Sequence, residues 1–259
     1  MSSITSFEEF AKSHGLIIDR LEMNLWVRVS TEDKPSKKNG SYIWDGQSGA
    51  IQNWAIHEKP ITFRGKNYDP FRQIDRQKIK DDQLEKQSKA KSKAVFMLNH
   101  ATDMTHLYLA RKGFPDLKAP VWNNLLLVPM RIDGKLVGCQ MIDSEGSKKF
   151  LRGQITKGAS LVIDNKGRDL IVEGYATGLS VREVLKQAKK RYTIHVCFSA
   201  QNMLEIARGK HDPLVIADHD KIGLQTAKKI GQYWKSDIEG YDFNDAFLHG
   251  DVGNILDLI

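Results

Sequence analysis

Three short runs in the second half of the chain constrain its fold most: "LIVE" at 170–173, "IHVCF" at 194–198 and "LVIAD" at 214–218. They are nearly all apolar, as strands covered on both faces must be. Helical stretches of ten or more residues separate and follow them: "GLSVREVLKQAKKR", "AQNMLEIARGK" and "KIGLQTAKKIGQYWK". Strands that alternate with such helices imply a parallel sheet with crossover helices. "GASLVID" reads as one more strand ahead of them.

In an open parallel sheet, ligands bind beyond the carboxyl ends of the strands. Glu173 sits at that end of "LIV", and Asp218 and Asp220 at that end of "LVIA". If these strands are neighbours, three carboxylates converge on one edge. Gly174 and Gly223 are expected to let the backbone turn there. In an extended Asp-x-Asp both carboxylates point to the same side. Hard divalent cations take such oxygens, and Mg²⁺ typically combines one or two carboxylates with phosphates and water.

The rest of the composition is compatible with this picture. The chain has 259 residues, 41% hydrophobic and 27% charged, as in a soluble globular protein of one large or two small domains. No apolar run approaches the roughly 18 residues of a membrane span. The N-terminus has no basic segment leading into an apolar one, so no secretory signal is expected. Cys139 and Cys197 stand far apart with no CxxC pair, so no structural zinc is expected, and His211 and His219 read as ordinary surface histidines. Lone thiols and no export signal fit the cytoplasm.

Net charge is +7. Lysine and arginine crowd residues 72–93 and 147–168. Near the C-terminus, Asp242, Asp245, Asp251 and Asp257 face only His249. A basic body with a local acidic cluster suits a phosphate-handling site, although chance also produces it.

Upstream, residues 4–15 read as a short helix with Ser6 as N-cap and Glu8 and Glu9 in its first turn. Residues 25–56 read as hairpins, with "TEDKPSKKNG" an exposed loop and "ITFRG" a further β piece. Trp26, Trp44 and Trp54 are expected as core or cross-strand residues, ahead of a base-stacking role. Residues 71–93 read as a long solvated helix, ahead of a basic arm on a nucleic acid, and 94–112 as a helix ending at Gly113. Asp133-Gly134 marks a hairpin.

"IVEGYATGLSV" and "VIADHDKIGLQTAKKIG" together resemble the Toprim domain, the metal-binding fold shared by bacterial primases, type IA and type II topoisomerases and some nucleases. The shared pattern is Glu-Gly after one strand, then Asp-x-Asp and Gly after a later one. Tyr175 after Glu-Gly is similar to primases in particular. "VPMRIDGKLVGCQMIDSEGSKKFLRGQITKG" is similar to the segment that precedes Toprim in DnaG-type primases. That match puts Arg131, Lys149 and Lys157 on basic positions lining the cleft. "YDFNDAF" resembles the segment that supplies a further acid, here Asp242 and Asp245. The wording is most like the Toprim primases of conjugative plasmids and phages, over roughly residues 119–250.

The resemblance implies an α/β chain: a Toprim fold with a central parallel sheet and flanking helices over 166–259. A smaller, basic α+β subdomain of the primase core would occupy 113–165, and an N-terminal α+β region 1–112. The resemblance assigns this region no task; template binding in place of the missing zinc ribbon is our own expectation for it. The resemblance also implies a DNA primase that makes RNA primers on single-stranded DNA. Glu173, Asp218 and Asp220 would be catalytic. Together with Asp242 and Asp245 they would hold Mg²⁺ or Mn²⁺, and Glu173 would be a ligand or the general base. Arg131, Lys149, Arg152 and Lys157 would meet triphosphate and template. Expected partners are single-stranded DNA, nucleoside triphosphates and a replicative helicase, with no membrane. The cysteines of a zinc ribbon are missing, and so is a Walker A motif. A Toprim nuclease and a non-catalytic nucleic-acid-binding replication factor stand as alternatives. The intact acids argue against the second, and the "KKFLRG" segment favours primase over nuclease.

Overall fold

The computed structural model describes residues 6–69 and 76–259, and the chain divides into two units, Met1–Asp81 and Asp82–Ile259. In the first, α1 (Phe7–Ser13) begins at Ser6 as expected. The Ser6 hydroxyl accepts from Glu9 N–H at 3.1 Å, and the Glu9 carboxylate accepts from Ser6 N–H at 3.2 Å. This reciprocal pair satisfies two N–H groups that a bare helix start would leave unpaired. Five antiparallel strands follow in sequence order: β1 (Leu16–Ile17), β2 (Val27–Thr31), β3 (Gly40–Trp44), β4 (Ser48–Asn53) and β5 (Ile61–Arg64). Val29, Tyr42 and Ile51 share a core with Phe7 and Ala11 of α1. The Phe7 ring stacks on Trp44 at 4.6 Å and meets Tyr42 edge-on at 5.8 Å. Trp44 is therefore a core residue, as expected. Trp26 and Trp54 are not: they are 51% and 40% exposed.

In the second unit, α2 (Arg76–Asn99) carries Ala90, Ala94 and Met97 onto Leu127, Cys139 and Leu151. Residues 71–75 of the expected charged helix lie outside the described residues. The division between units falls within α2, and this apolar stripe belongs to the core of the second unit. The helix expected over 94–112 is broken. β6 (Thr102–Met104) pairs with β7 (Ala119–Trp122), and α3 (Leu107–Arg111) starts afresh at His106, whose ring accepts from Tyr108 N–H at 3.3 Å. The expected stop at Gly113 is present, with φ +88°.

An antiparallel sheet runs β10-β9-β8-β7-β6, with β8 (Leu125–Ile132), β9 (Lys135–Ile142) and β10 (Lys148–Phe150). Asp133 and Gly134 link β8 and β9 with φ of 47° and 74°, the positive pair a tight hairpin demands. The remaining sheet has the order β11-β13-β12-β14-β15, from β11 (Leu161–Asp164), β12 (Arg168–Val172), β13 (Tyr192–Val196), β14 (Leu214–Ala217) and β15 (Tyr233–Lys235). β12, β13, β14 and β15 run parallel, while β11 is antiparallel to β13 at one edge. Parallel order is thus confined to this sheet, and the other two are antiparallel.

The helices α4 (Tyr175–Gln187), α5 (Ala200–Ala207) and α6 (Lys221–Ile230) make the crossovers. Both sheet faces are covered. Leu170, Val172, Ile194, Val196, Leu214 and Ile216 share one core, and Ile171, Cys197, Val215 and Ala217 another. Each such side chain contributes about 1.5–3 kcal/mol on full burial for the larger aliphatics. "QYWK" does not continue α6: the helix stops at Gly231, φ +152°, and Tyr233–Lys235 adds a strand beside β14. α7 (Phe243–Leu248) packs Phe243 edge-on against Trp234 at 4.6 Å. Both cysteines are free and buried. Among the described residues no helix is long and apolar enough to cross a membrane.

Candidate active site

β12 and β14 are direct neighbours, with Val172 opposite Ile216. Glu173 and Asp218 therefore leave the sheet at the same carboxyl edge. The next segment is tied to a third chain stretch: His219 N–H donates to the Tyr241 carbonyl at 2.9 Å, and Gly240 N–H donates to the His219 carbonyl at 2.8 Å. This pairing brings Asp242 to the acids of β12 and β14.

The acids act on one another. Burial, then the Asp220 charge, pushes the Glu173 carboxyl above the usual range, while Lys148 opposes this. For Asp218, burial again comes first, followed by Glu173, Asp242 and Asp220. It is pushed up to about 7 against the pull of Lys148. Asp218 Oδ1 is buried without a hydrogen-bond partner. Such an atom is costly unless it meets a cation or a donor.

The other acids have local work. Asp220 caps α6, its Oδ1 accepting from Gly223 N–H at 2.6 Å. A β-carbon on Gly223 would stand 2.3 Å from the Asp218 carbonyl oxygen, so close approach, not turning, demands this glycine. Asp242 caps α7, accepting from Asp245 N–H at 2.8 Å, and the Asp245 carboxylate accepts from Asp242 N–H at 3.2 Å. Asp245 also lies 3.7 Å from Lys112 Nζ. Asn244 is fully buried, its amide donating to the Lys112 carbonyl at 2.9 Å and to Ser180 Oγ at 2.8 Å.

Among the described residues, no group of three or more His, Cys, Asp or Glu is placed to hold a metal ion. Asp220, Asp242 and Asp245 each give one carboxylate oxygen to a backbone N–H at a helix start. The donor chemistry, all carboxylate oxygen with one buried unpartnered atom, suits a hard divalent cation.

Lys148 was not singled out in the sequence. Side chains alternate along β10, so Lys148 and Phe150 share one face and Lys149 takes the other. Lys148 Nζ lies 4.0 Å from where a β-carbon on Gly174 would sit. Phe150 meets Phe198 edge-on at 6.3 Å, and Phe198 N–H donates to the Glu173 carbonyl at 2.8 Å. Lys149 instead bears on Asp143. The other expected cations have partners of their own or stand exposed. Arg131 Nη1 donates to the Gly134 carbonyl at 3.0 Å, Lys157 Nζ is 3.7 Å from Glu205, and Arg152 is exposed in the turn after β10. Gly174 itself has φ −102°, open to any residue, so the expected glycine turn is not what it provides. Tyr175 starts α4 and packs between two apolar clusters.

No protein-family model matches the chain. Among solved structures it is similar to a chain in bacteriophage T7 lagging-strand DNA polymerase interacting with primase domains of two gp4 subunits bound to an RNA/DNA hybrid and dTTP. That match has 16% identity, covers 57% of this chain and 83% of that one, and has a TM-score of 0.41. It is also similar to the primase fragment of the bacteriophage T7 primase-helicase protein, at 14% identity over 59% of this chain and 69% of that one, with a TM-score of 0.42.

Proposed function

We propose that the chain is a Toprim-type DNA primase that joins ribonucleotides into short primers on single-stranded DNA. One observation carries the reading: Glu173, Asp218, Asp220 and Asp242 act on one another at the carboxyl edge of β12 and β14, with Lys148 against them. The order of the resembling sequence motifs supports it.

In primer synthesis a 3′-hydroxyl attacks an α-phosphate and pyrophosphate leaves. Mg²⁺ or Mn²⁺, when bound, would neutralise phosphate charge and favour loss of the hydroxyl proton. Glu173, Asp218, Asp220 and Asp242 are the residues that would hold it, with Asp245 beside them. Glu173, already above the usual carboxylate range, is also suited to take up that proton. The Lys148 ammonium would meet the triphosphate, where an opposite charge in a partly dry site acts most strongly. Arg131, Lys149, Arg152 and Lys157 would track the template backbone further out. A replicative helicase would supply the single strand.

Incubation with single-stranded DNA, labelled ribonucleotides and Mg²⁺ or Mn²⁺ tests this. The expected result is metal-dependent oligoribonucleotide synthesis that disappears in Asp218→Ala. Degradation of the template without synthesis would mean a nuclease, and neither activity a non-catalytic binding factor.

A further inference from the structure

We propose that the outward face of the N-terminal sheet binds single-stranded DNA by stacking bases on two arginine–aromatic pairs. The idea deepens the primase reading and rests on it for the identity of the strand as template.

α1 covers only one face of this sheet. The other face is assembled from residues that alternate with the core positions. Arg28 lies between Val27 and Val29, and in register it stands beside Ser41, which stands beside Gln52. Ile43, Ala50 and Thr62 form the next row, and Arg64 stands opposite Ser48. The Arg28 guanidinium lies 4.0 Å over the Trp54 ring, held there by bonds from Nε and Nη2 to the Lys38 carbonyl at 3.2 and 2.7 Å. The Arg64 guanidinium lies 5.0 Å over the Tyr68 ring. From Gln52 to Ser48 along β4 is four residues, roughly 13 Å.

Beside the Arg64–Tyr68 pair the surface is not flat. A cavity of about 360 Å³ is lined by Ile43, Ala50, Thr62, Arg64, Tyr68 and Asn24, among others. That is the size of a small-ligand pocket, large enough for one planar base. Its carboxylate, Asp45, is already engaged: it accepts from Gln47 N–H at 2.8 Å, Ser48 N–H at 2.6 Å and Ser48 Oγ at 3.0 Å. Within these strand rows the charged side chains are the two guanidiniums, and both are exposed. Exposed Trp26 adds a further ring at the start of β2.

A sheet face that combines rings, cations and a small apolar patch at Ile43 and Ala50 complements a flexible polyanion that carries unpaired bases. Duplex DNA hides those base faces, and an acidic protein would not need the rings. Stacking on rings is tolerant of sequence, so this face would hold a template without selecting it.

The test uses the full chain, a fluorescein-labelled single-stranded oligonucleotide and fluorescence anisotropy, in EDTA and without nucleotides. Trp54→Ala and Arg64→Ala should each weaken binding about tenfold. Trp54→Phe should retain most of the affinity, Lys34→Ala should leave it unchanged, and duplex DNA should bind more weakly. Arg64→Glu, at an exposed position, should weaken binding further without lowering the melting temperature. Ultraviolet crosslinks from bromodeoxyuridine in the wild-type complex should map to Trp26, Trp54 or Tyr68. A Trp54→Ala/Arg64→Ala protein within twofold of wild type would overturn the proposal, as would crosslinks confined to residues beyond 81. So would loss of self-association in these variants with DNA affinity intact, which would make the face a contact between two copies. Intact binding without primer synthesis would leave this surface standing and remove the primase reading alone.

Discussion

Asn244 donates its side-chain amide to Ser180 Oγ at 2.8 Å, with both residues fully buried. The same amide reaches the Lys112 carbonyl. "DFND" therefore serves the structure at every position: Asp242 and Asp245 start α7, Phe243 fills the core, and Asn244 fastens α7 to α4. Asn244→Ala should cost about 2 kcal/mol, because it strands the part-buried Lys112 carbonyl and removes a buried amide–hydroxyl pairing. Ser180→Ala should cost less, since α4 keeps its backbone bonds. Urea denaturation of both variants and of the double variant checks the coupling.

Lys148 and Lys149 are adjacent but face opposite sides of β10. Lys148→Ala should lower primer synthesis at least tenfold and raise the KM for nucleoside triphosphate, since it removes the cation beside Glu173 and Asp218. Lys149→Ala should have a markedly smaller effect. Steady-state kinetics on the two proteins separates them, and equal losses would put the active face of β10 in the wrong place.

Asp218 combines burial with three nearby acids. Removing its charge should relieve repulsion, so Asp218→Asn should melt at a higher temperature than wild type in EDTA. Adding Mg²⁺ or Mn²⁺ should raise the wild-type melting temperature and leave the variant nearly unmoved. Differential scanning fluorimetry with a metal titration reads both effects. The gain in stability should come with loss of activity.

His195 is buried on β13 and donates through Nε2 to Asp169 Oδ1 at 2.6 Å. Lys210 Nζ lies 3.3 Å from the same oxygen. Burial, chiefly, holds the imidazole below its usual pKa, despite Asp169. The unfolded chain, with an ordinary value near 6.5, then binds the proton more readily than the fold does. This contribution is fully present above about pH 6.5 and is lost as pH falls below it toward the depressed folded value. The melting temperature should fall between about pH 7 and pH 5. His195→Gln should lose less over the same range, which parallel melts would show.

The strands of the parallel sheet were legible because burial on both faces leaves only apolar residues to choose from, as in Leu214–Ala217. The adjacency of β12 and β14 was not legible: strand polarity places each acid at a carboxyl edge, but only the pairing of Val172 with Ile216 makes the two edges neighbours. The Ser6 cap and the Asp133-Gly134 hairpin were legible because local bonds alone determine them. Lys148 was not, because its direction depends on pairing with Ile142 across the hairpin, and the sequence resemblance drew attention to Lys149. The break after Asn99 escaped for a related reason. Apolar residues from 94 to 112 satisfy helical periodicity, yet pairing of Thr102–Met104 with β7 overrides it. Tyr233–Lys235 became a strand because β14 had an open edge to fill, a tertiary opportunity that local propensity does not register.

The tie between His219 and the Gly240–Tyr241 turn has a consequence for how the protein is made. The acids leave the ribosome in the order Glu173, Asp218, Asp220, Asp242, but Phe243 and Ala246 belong to the same core as Leu170 and Val172. Until residues beyond 242 have emerged, β12 and β14 lack part of their cover and Asp218 lacks its final surroundings. The acid cluster of a nascent chain would therefore be completed only after Phe243 and Ala246 have emerged and packed.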